Sequence, residues 1–487
     1  MVPRMARNST GPRGVGLLVV VIVLAAASCR HPRFPSRGDA AAVVVVVPRN
    51  DAAGPPRVAE QEPNDSPEQA QVLAINADWP VINVEGSLSA PGEGKGKDVD
   101  VFKFLVPGTR QEPVKLAPPV DSGAQPDDPR ALARRLTLEI AADAGPGLSV
   151  QLLDDALKSM ETISVPEGEV GGMPNMAVLP GHTYYFRIKP GAKAGKISGK
   201  IAEPQAGACK YRLTVQLGDF EVADEREPNG SKETATPLSV VGTAEVAGYH
   251  GWQHDKDFYR IPLPELVSAL DVDLDAVDGV TASLQVLEGA GGRLASATGR
   301  RSERLGLRNV ILRPIPPTAD PASRYFYVVA RGESGQNRTQ RYVLRLSLGA
   351  PKLDAEVEPN DNPESATLVH DGNISGYLPV GDTDYFRYEG EGQRDVTFEV
   401  SCPARVRGKL EAFHPGNVPA GATGAKKAKQ TVLLSGIATQ GQPLYLRISQ
   451  GRGDGNSSDP YSLRITSVAS ANEKSGSANP ASSPASN

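Results

Sequence analysis

The chain of 487 residues holds only three cysteines, six histidines and two tryptophans, and aromatic residues make up 5% of it. Three cysteines cannot build the disulfide framework of a small stapled fold, so packing or bound ions must supply stability. The histidines are His31, His182, His250, His254, His370 and His414, and none forms a His-Glu-x-x-His zinc-protease motif. A Gly-x-Ser-x-Gly nucleophile elbow and a Gly-x-x-x-x-Gly-Lys-Ser/Thr phosphate loop are also missing. Long stretches of helical periodicity are absent, and 42 Pro with 50 Gly work against long helices. The net charge of −5 gives no electrostatic footprint for nucleic acid, which is not expected as a partner.

What the sequence does have is internal repetition. Three segments share one form: Glu60-Gln-Glu62-Pro-Asn64-Asp65, Glu225-Arg-Glu227-Pro-Asn229-Gly230 and Glu356-Val-Glu358-Pro-Asn360-Asp361. Each is followed by an Ala and a short apolar pair, then by a Gly in an apolar stretch (Gly86, Gly248, Gly376). An Asp-x-Asp comes next and feeds an alternating aromatic run: Asp98 and Asp100 before Phe102, Asp255 and Asp257 before Tyr259, Asp382 and Asp384 before Phe386. Each repeat closes on Tyr-x-Leu, at Tyr211, Tyr342 and Tyr461. Just upstream of each closing run lies another β-rich one, at Tyr184–Ile188, Tyr325–Val329 and Leu444–Ile448.

Period-two alternation is the pattern of a half-buried strand, since successive side chains face opposite sides. Clusters of Gly, Pro, Asn and Asp between the runs supply turns. Many short strands separated by turn signals predict sandwiches or barrels. The expected fold class is all-β: three tandem jelly-roll-like β-sandwich domains with short linkers, at residues 58–218, 219–350 and 351–468. The first repeat is the longest, and its surplus around Gly108–Arg135 reads as a surface-loop insertion.

The acidic motifs suggest a cation. Calcium takes six to eight oxygen ligands from carboxylates, amides and carbonyls. The first repeat offers Glu60, Glu62, Asn64, Asp65, Asp98 and Asp100. The second offers Glu225, Glu227, Asn229, Asp255 and Asp257, with Gly230 in place of the last motif Asp, which weakens it. The third offers Glu356, Glu358, Asn360, Asp361, Asp382 and Asp384. The competing reading is turn chemistry, because Pro-Asn-Asp makes turns and caps a following helical turn. The pair His250 and His254 beside Asp255 reads as solvated loop histidines more readily than as a transition-metal site.

Glu-x-Glu-Pro-Asn-Asp, then Ala-x-x-Leu, then Asp-x-Asp-x-Phe, then a closing Tyr-x-Leu-x-Val resembles the bacterial pre-peptidase C-terminal domain family. Three copies would span about residues 58–468. The resemblance implies β-sandwich accessory modules, similar to collagen-binding domains of clostridial collagenases, with calcium near the N-terminal acidic segment in some members. It implies no catalytic residues, and no peptidase domain precedes these copies.

The ends of the chain read as export and tethering. Arg4, Arg7 and Arg13 precede the apolar run Val15–Ala27, which is shorter than the roughly 20 residues a membrane span needs and suits a signal-peptide core. Ala25–Ser28 leading into Cys29 resembles a bacterial lipobox, which implies cleavage of residues 1–28 and a membrane anchor through lipid on Cys29. Arg30 after the anchor points to the outer rather than the inner membrane by resemblance to enterobacterial sorting. Residues 29–57 form a tether that contains the run Ala40–Val47, and residues 469–487 have the composition of a disordered tail. With Cys29 lipidated, Cys209 and Cys402 remain, one in each of two different repeats.

Together these readings point to an exported cell-envelope lipoprotein, not an enzyme, that binds or scaffolds protein or polysaccharide. The competing functions are an unrecognised secreted hydrolase or peptidase-associated factor, and a passive structural spacer.

Overall fold

The computed structural model describes residues 55–470 apart from 77, 90–97, 111–129, 144–146, 192–208 and 315–320. The signal sequence, Cys29, the Ala40–Val47 run, most of the tether, the core of the first-repeat insertion and the tail therefore lie outside the described residues. No helix among the described residues is long and apolar enough to cross a membrane.

The described residues form six sheets, paired into three β-sandwiches along the chain. In the first, Val81–Leu88, Cys209–Gly218, Arg134–Ala142 and Val170–Val178 lie side by side, with Arg57–Ala59 added at the outer edge. The facing sheet runs Gln71–Val72, Asp100–Leu105, Thr183–Pro190, Leu148–Leu153 and Ser159–Val165. The second and third domains repeat this order. Their closing strands, Asn337–Gly349 and Asn456–Ala469, are again central in one sheet, while Tyr325–Ser334 and Leu444–Gln450 are central in the other. The chain passes between the two layers at nearly every step, which gives the jelly-roll-like character.

Side-chain alternation explains why these segments pair as they do. Along Cys209–Gly218 the residues Cys209, Tyr211, Leu213, Val215 and Leu217 are buried, while Lys210, Arg212 and Gln216 face water. A one-residue slip would turn that apolar set outward, so the register is fixed. Each domain has its own core: Phe102, Phe104, Phe186 and Leu213 in the first, Leu270, Leu284, Phe326 and Leu344 in the second, Phe386, Phe398, Leu446 and Leu463 in the third. Cys209 and Cys402 are both free and buried.

One irregularity recurs. The edge strands Val170–Val178, Leu305–Leu312 and Thr431–Ala438 each carry a β-bulge against their neighbour, where two residues stand opposite one and break the register. The second bulged residue has positive φ each time: Asn175 at 57°, Asn309 at 51° and Gly436 at 71°. Asn and Gly are the residues that tolerate this left-handed conformation.

Candidate cation sites at the domain junctions

The motifs that repeat in the sequence converge in space. In each domain the Glu-x-Glu-Pro-Asn segment runs against the strand carrying Asp-x-Asp. The Asn carbonyl accepts from the backbone of that strand: Val101 to Asn64 at 3.0 Å, Phe258 to Asn229 at 3.0 Å and Tyr385 to Asn360 at 2.9 Å. The Glu-Pro bond is cis in all three. The second Glu turns back on its own segment, with the Asn amide N–H donating to Glu62 Oε2 at 3.0 Å, to Glu227 Oε2 at 2.6 Å and to Glu358 Oε2 at 3.0 Å. The first Glu accepts a backbone N–H from the Gly-containing strand: from Ser87 to Glu60, from Tyr249 to Glu225 and from Tyr377 to Glu356.

The closing tyrosine and the glycine belong to the same site. Tyr211 donates its hydroxyl to Asp100, Tyr342 to Asp257 and Tyr461 to Glu356. A Cβ on Gly86, Gly248 or Gly376 would lie 2.3, 2.4 or 2.3 Å from that tyrosine oxygen, so only glycine leaves room for the ring.

Carboxylate oxygens come together in each domain. Glu60, Glu62 and Asp100 place one oxygen each within 4.8 Å of one another, as do Glu62, Asp65 and Asp98 at the rim. Glu225, Glu227 and Asp257 do so in the second domain, and Glu358, Asp382 and Asp384 in the third. Asp255 sits buried beside the second cluster and accepts from the backbone of Gly251 and Lys256. Glu356 is buried beside the third cluster, where burial and then its charge raise Asp382 and Asp384, and it accepts from Tyr461. Asp65 and Asp361 are exposed, so Gly230 removes only a rim carboxylate from the second site, whose remaining acids are buried.

Burial acts strongly on these acids. It lifts Asp100 to about 8, and Glu227 and Glu356 to about 7. Glu225, Asp255, Asp257, Glu358, Asp382 and Asp384 also rise, through burial first and then through repulsion from neighbouring carboxylates. Asn64, Asn229 and Asn360 are 0% exposed, yet neither polar atom of any of these side-chain amides has a partner. One oxygen of Asp100, Glu227 and Asp257, and both of Asp384, are likewise buried without a partner. A buried polar group without a partner is costly, by about 1–3 kcal/mol each. The donors are all oxygen and mostly anionic, which suits a hard divalent cation rather than zinc or copper. Turn chemistry alone leaves the oxygens among these atoms, the Asn Oδ1 and the carboxylate oxygens, without a role.

The two internal sites are closed by the preceding domain. Glu227 donates its N–H to the Asn175 carbonyl at 2.9 Å, and its own carbonyl accepts from Ala177 at 2.7 Å. Glu358 pairs the same way with Asn309 and Ile311, at 3.4 and 3.0 Å. In the first junction Arg130 also donates to the carbonyls of Arg226 and Pro228, and Trp252 packs against the core of the first domain. In the second, Asn309 Nδ2 donates to the carbonyls of Glu356 and Lys352. The sequence reading missed Asn175 and Asn309, and it noted the tyrosines and glycines only as repeats. Their recurrence at one step of every repeat was the signal available.

His250 and His254 do not join the grouped carboxylates. His250 is buried against the Tyr342 ring with centroids 4.8 Å apart, and burial lowers it to about 4. His254 is exposed at φ 63°.

No protein-family model and no curated protein matches the chain. Among solved structures, an archaeal virus turret protein with a triple jelly-roll fold is 10% identical, covering 78% of this chain and 82% of its own, with a TM-score of 0.18. The CUB1-EGF-CUB2 domains of rat MASP-1 are 12% identical over 47% of this chain and 99% of their own, with a TM-score of 0.14. The M60 catalytic domain with two CBM51 domains of Clostridium perfringens ZmpB is 7% identical over 68% of this chain and 55% of its own, with a TM-score of 0.16. Scores this low support no inference about the chain.

Proposed function

We propose that this protein is an exported, lipid-anchored component of the bacterial cell envelope that works as a non-catalytic array of three binding modules, stiffened by calcium at the acidic clusters. The resemblance to pre-peptidase C-terminal domains supports the accessory role, and the lipobox-like Cys29 supports the anchor, with the outer membrane favoured. The observation that carries the calcium part is the convergence of four repeated motifs on all-oxygen clusters, fully buried in the second domain and more open in the first, beside buried Asn side chains whose Oδ1 has no partner. Glu227 and Glu358 each belong to a cluster and also pair with the previous domain. A cation there would hold the segment that joins one module to the next. Calcium would supply only positive charge and coordination. A stiff array gains avidity for a protein or polysaccharide ligand through several weak contacts at once.

The test is a thermal melt of the chain from Arg30 onward with calcium and with chelator. Binding to the folded state raises stability by about 2.7 kcal/mol at 100-fold Kd. The rise should shrink in Glu358→Ala and Asp384→Ala. An unchanged midpoint in the parent chain would remove calcium from the proposal. Failure to retain any envelope polymer or matrix protein in pull-downs would remove the binding role.

A further inference from the structure

Two of the three edge-strand bulges are covered by the next domain, and among the described residues nothing covers the third. At the first junction Asn175 O and Ala177 N hold Glu227, and Met176 is bridged to it in parallel. At the second, Asn309 O and Ile311 N hold Glu358, bridged to Val310. Register places Gly436, Ile437 and Ala438 in the same three positions of the third domain, since Val396 pairs with Ile437 as Leu136 does with Met176 and Leu270 with Val310. Thr439 donates its N–H inward to Arg394 at 2.8 Å, so the N–H of Ala438 points outward, as those of Ala177 and Ile311 do. A Cβ on Gly436 would meet nothing within 4 Å, and Gly436 and Ala438 are exposed. An edge with free backbone donors and acceptors is a template for another strand.

The matching piece at the other end is also uncovered among the described residues. Glu60–Asn64 has the same Asn backbone N–H to Glu carboxylate hydrogen bond as the segments seated at both junctions. Glu62 is exposed, whereas Glu227 is 2% and Glu358 9% exposed beneath their neighbouring domains. Among the described residues no hydrogen bond engages the backbone of Glu62.

We propose that the bare bulge Gly436–Ala438 is a docking site for the Glu60–Asn64 segment of a second copy of this chain, which joins copies head to tail. Glu62 N–H donates to Gly436 O, and Ala438 N–H donates to Glu62 O. The two surfaces differ and lie in the first and last domains, so the contact is heterologous and extends into a filament wherever the rotation between copies does not close a ring. Glu62, bonded to the neighbouring copy, then stands where Glu227 and Glu358 stand inside the chain. Within the chain the linkers hold the pairing partners at an effective concentration in the millimolar range, which two separate copies lack in dilute solution. Gly436 also lacks the Asn309 side chain. That side chain is dispensable for the pairing itself, because Asn175 Nδ2 has no partner at the first junction.

The experiment is sedimentation velocity of the chain from Arg30 onward, which keeps every described residue, from micromolar to near-millimolar concentration. The expected result is a weight-average mass that climbs with concentration without a plateau at a fixed oligomer. Ala438→Pro removes the outward N–H at an edge position where proline is tolerated, and it should abolish the climb with an unchanged melting midpoint. Gly436→Asn restores the residue of the first two bulges and should tighten association about tenfold, the worth of one or two hydrogen bonds. A monomer at every concentration in both the parent and Gly436→Asn would overturn the proposal, as would association that Ala438→Pro leaves intact. Should Ala438→Pro not fold, a parent chain that stays monomeric up to near-millimolar concentration overturns it alone.

Discussion

The hydroxyl of Tyr342 donates to Asp257 across 2.7 Å, joining the last strand of its domain to the strand that carries Asp-x-Asp. Glu225 Oε2 lies 3.0 Å from the same hydroxyl, and the Tyr259 hydroxyl lies 2.6 Å away. Tyr211 with Asp100 and Tyr461 with Glu356 make the corresponding links between the end of a repeat and its acidic site.

Tyr342→Phe keeps the ring in the core and removes only the donor. Asp257 and Glu225 are then left buried with one partner fewer. We expect a loss of about 1–3 kcal/mol, read as a lower denaturant midpoint of the second domain with an unchanged slope. An unaltered midpoint would mean that the hydroxyl contributes nothing to holding these acids.

Gly248→Ala addresses the same contact from the opposite strand. The added methyl would lie 2.1 Å from Glu225 Oε2 and 2.4 Å from the Tyr342 oxygen, both in a fully buried setting. Overpacking of this kind costs about 1–3 kcal/mol. A crystal structure or melt of the variant showing no displacement of Tyr342 and no loss of stability would refute it.

Much of this is legible in the amino-acid sequence. Alternation at Tyr211-Arg-Leu213-Thr-Val215 and its two counterparts gave the strands, and threefold recurrence gave the number of sandwiches. The grouping of Glu225, Glu227 and Asp257 was legible as residue types, because a repeated all-oxygen donor set has few uses. The junctions were not. Asn175 and Asn309 lie in runs with no shared motif around them, and a bulge with positive φ is set by tertiary pairing rather than by local pattern. Nor could spacing reveal that Glu227 and Glu358 would each serve a site in their own domain while pairing with the domain before.

Asn309→Gly isolates the junction clamp. Glycine accepts the φ of 51°, so the backbone pairing with Glu358 stays, while the side-chain bonds to Lys352 and Glu356 are lost. Small-angle scattering should then show a broader distance distribution, from looser coupling of the second and third domains. Asn175→Gly should change it less, since Asn175 Nδ2 has no partner to lose. Equal broadening from both substitutions would contradict the role given to the Asn309 side chain.

The buried acids fix the direction of the pH response in the metal-free chain. Their folded pKa values lie above the ordinary carboxylate range, to about 7 for Glu227 and Glu356 and about 8 for Asp100. Across that window the native state retains protons that the unfolded chain has released, so stability should fall as pH rises from about 4 to 8. His250 opposes this in the second domain. Its folded value of about 4 lies below the ordinary 6.5, so on its own it makes the native state more stable as pH rises between them. Glu225, Glu227, Asp255 and Asp257 outnumber it, so the net slope should stay negative there, and it should be steeper in His250→Phe. A bound divalent cation needs the same carboxylates deprotonated, which makes its binding tighter as pH rises. Melts between pH 4 and 8 should therefore show a downward slope with chelator that flattens or reverses with calcium. A chelated chain that grows more stable toward pH 8 would contradict the raised values, and identical slopes with and without calcium would separate these acids from any cation.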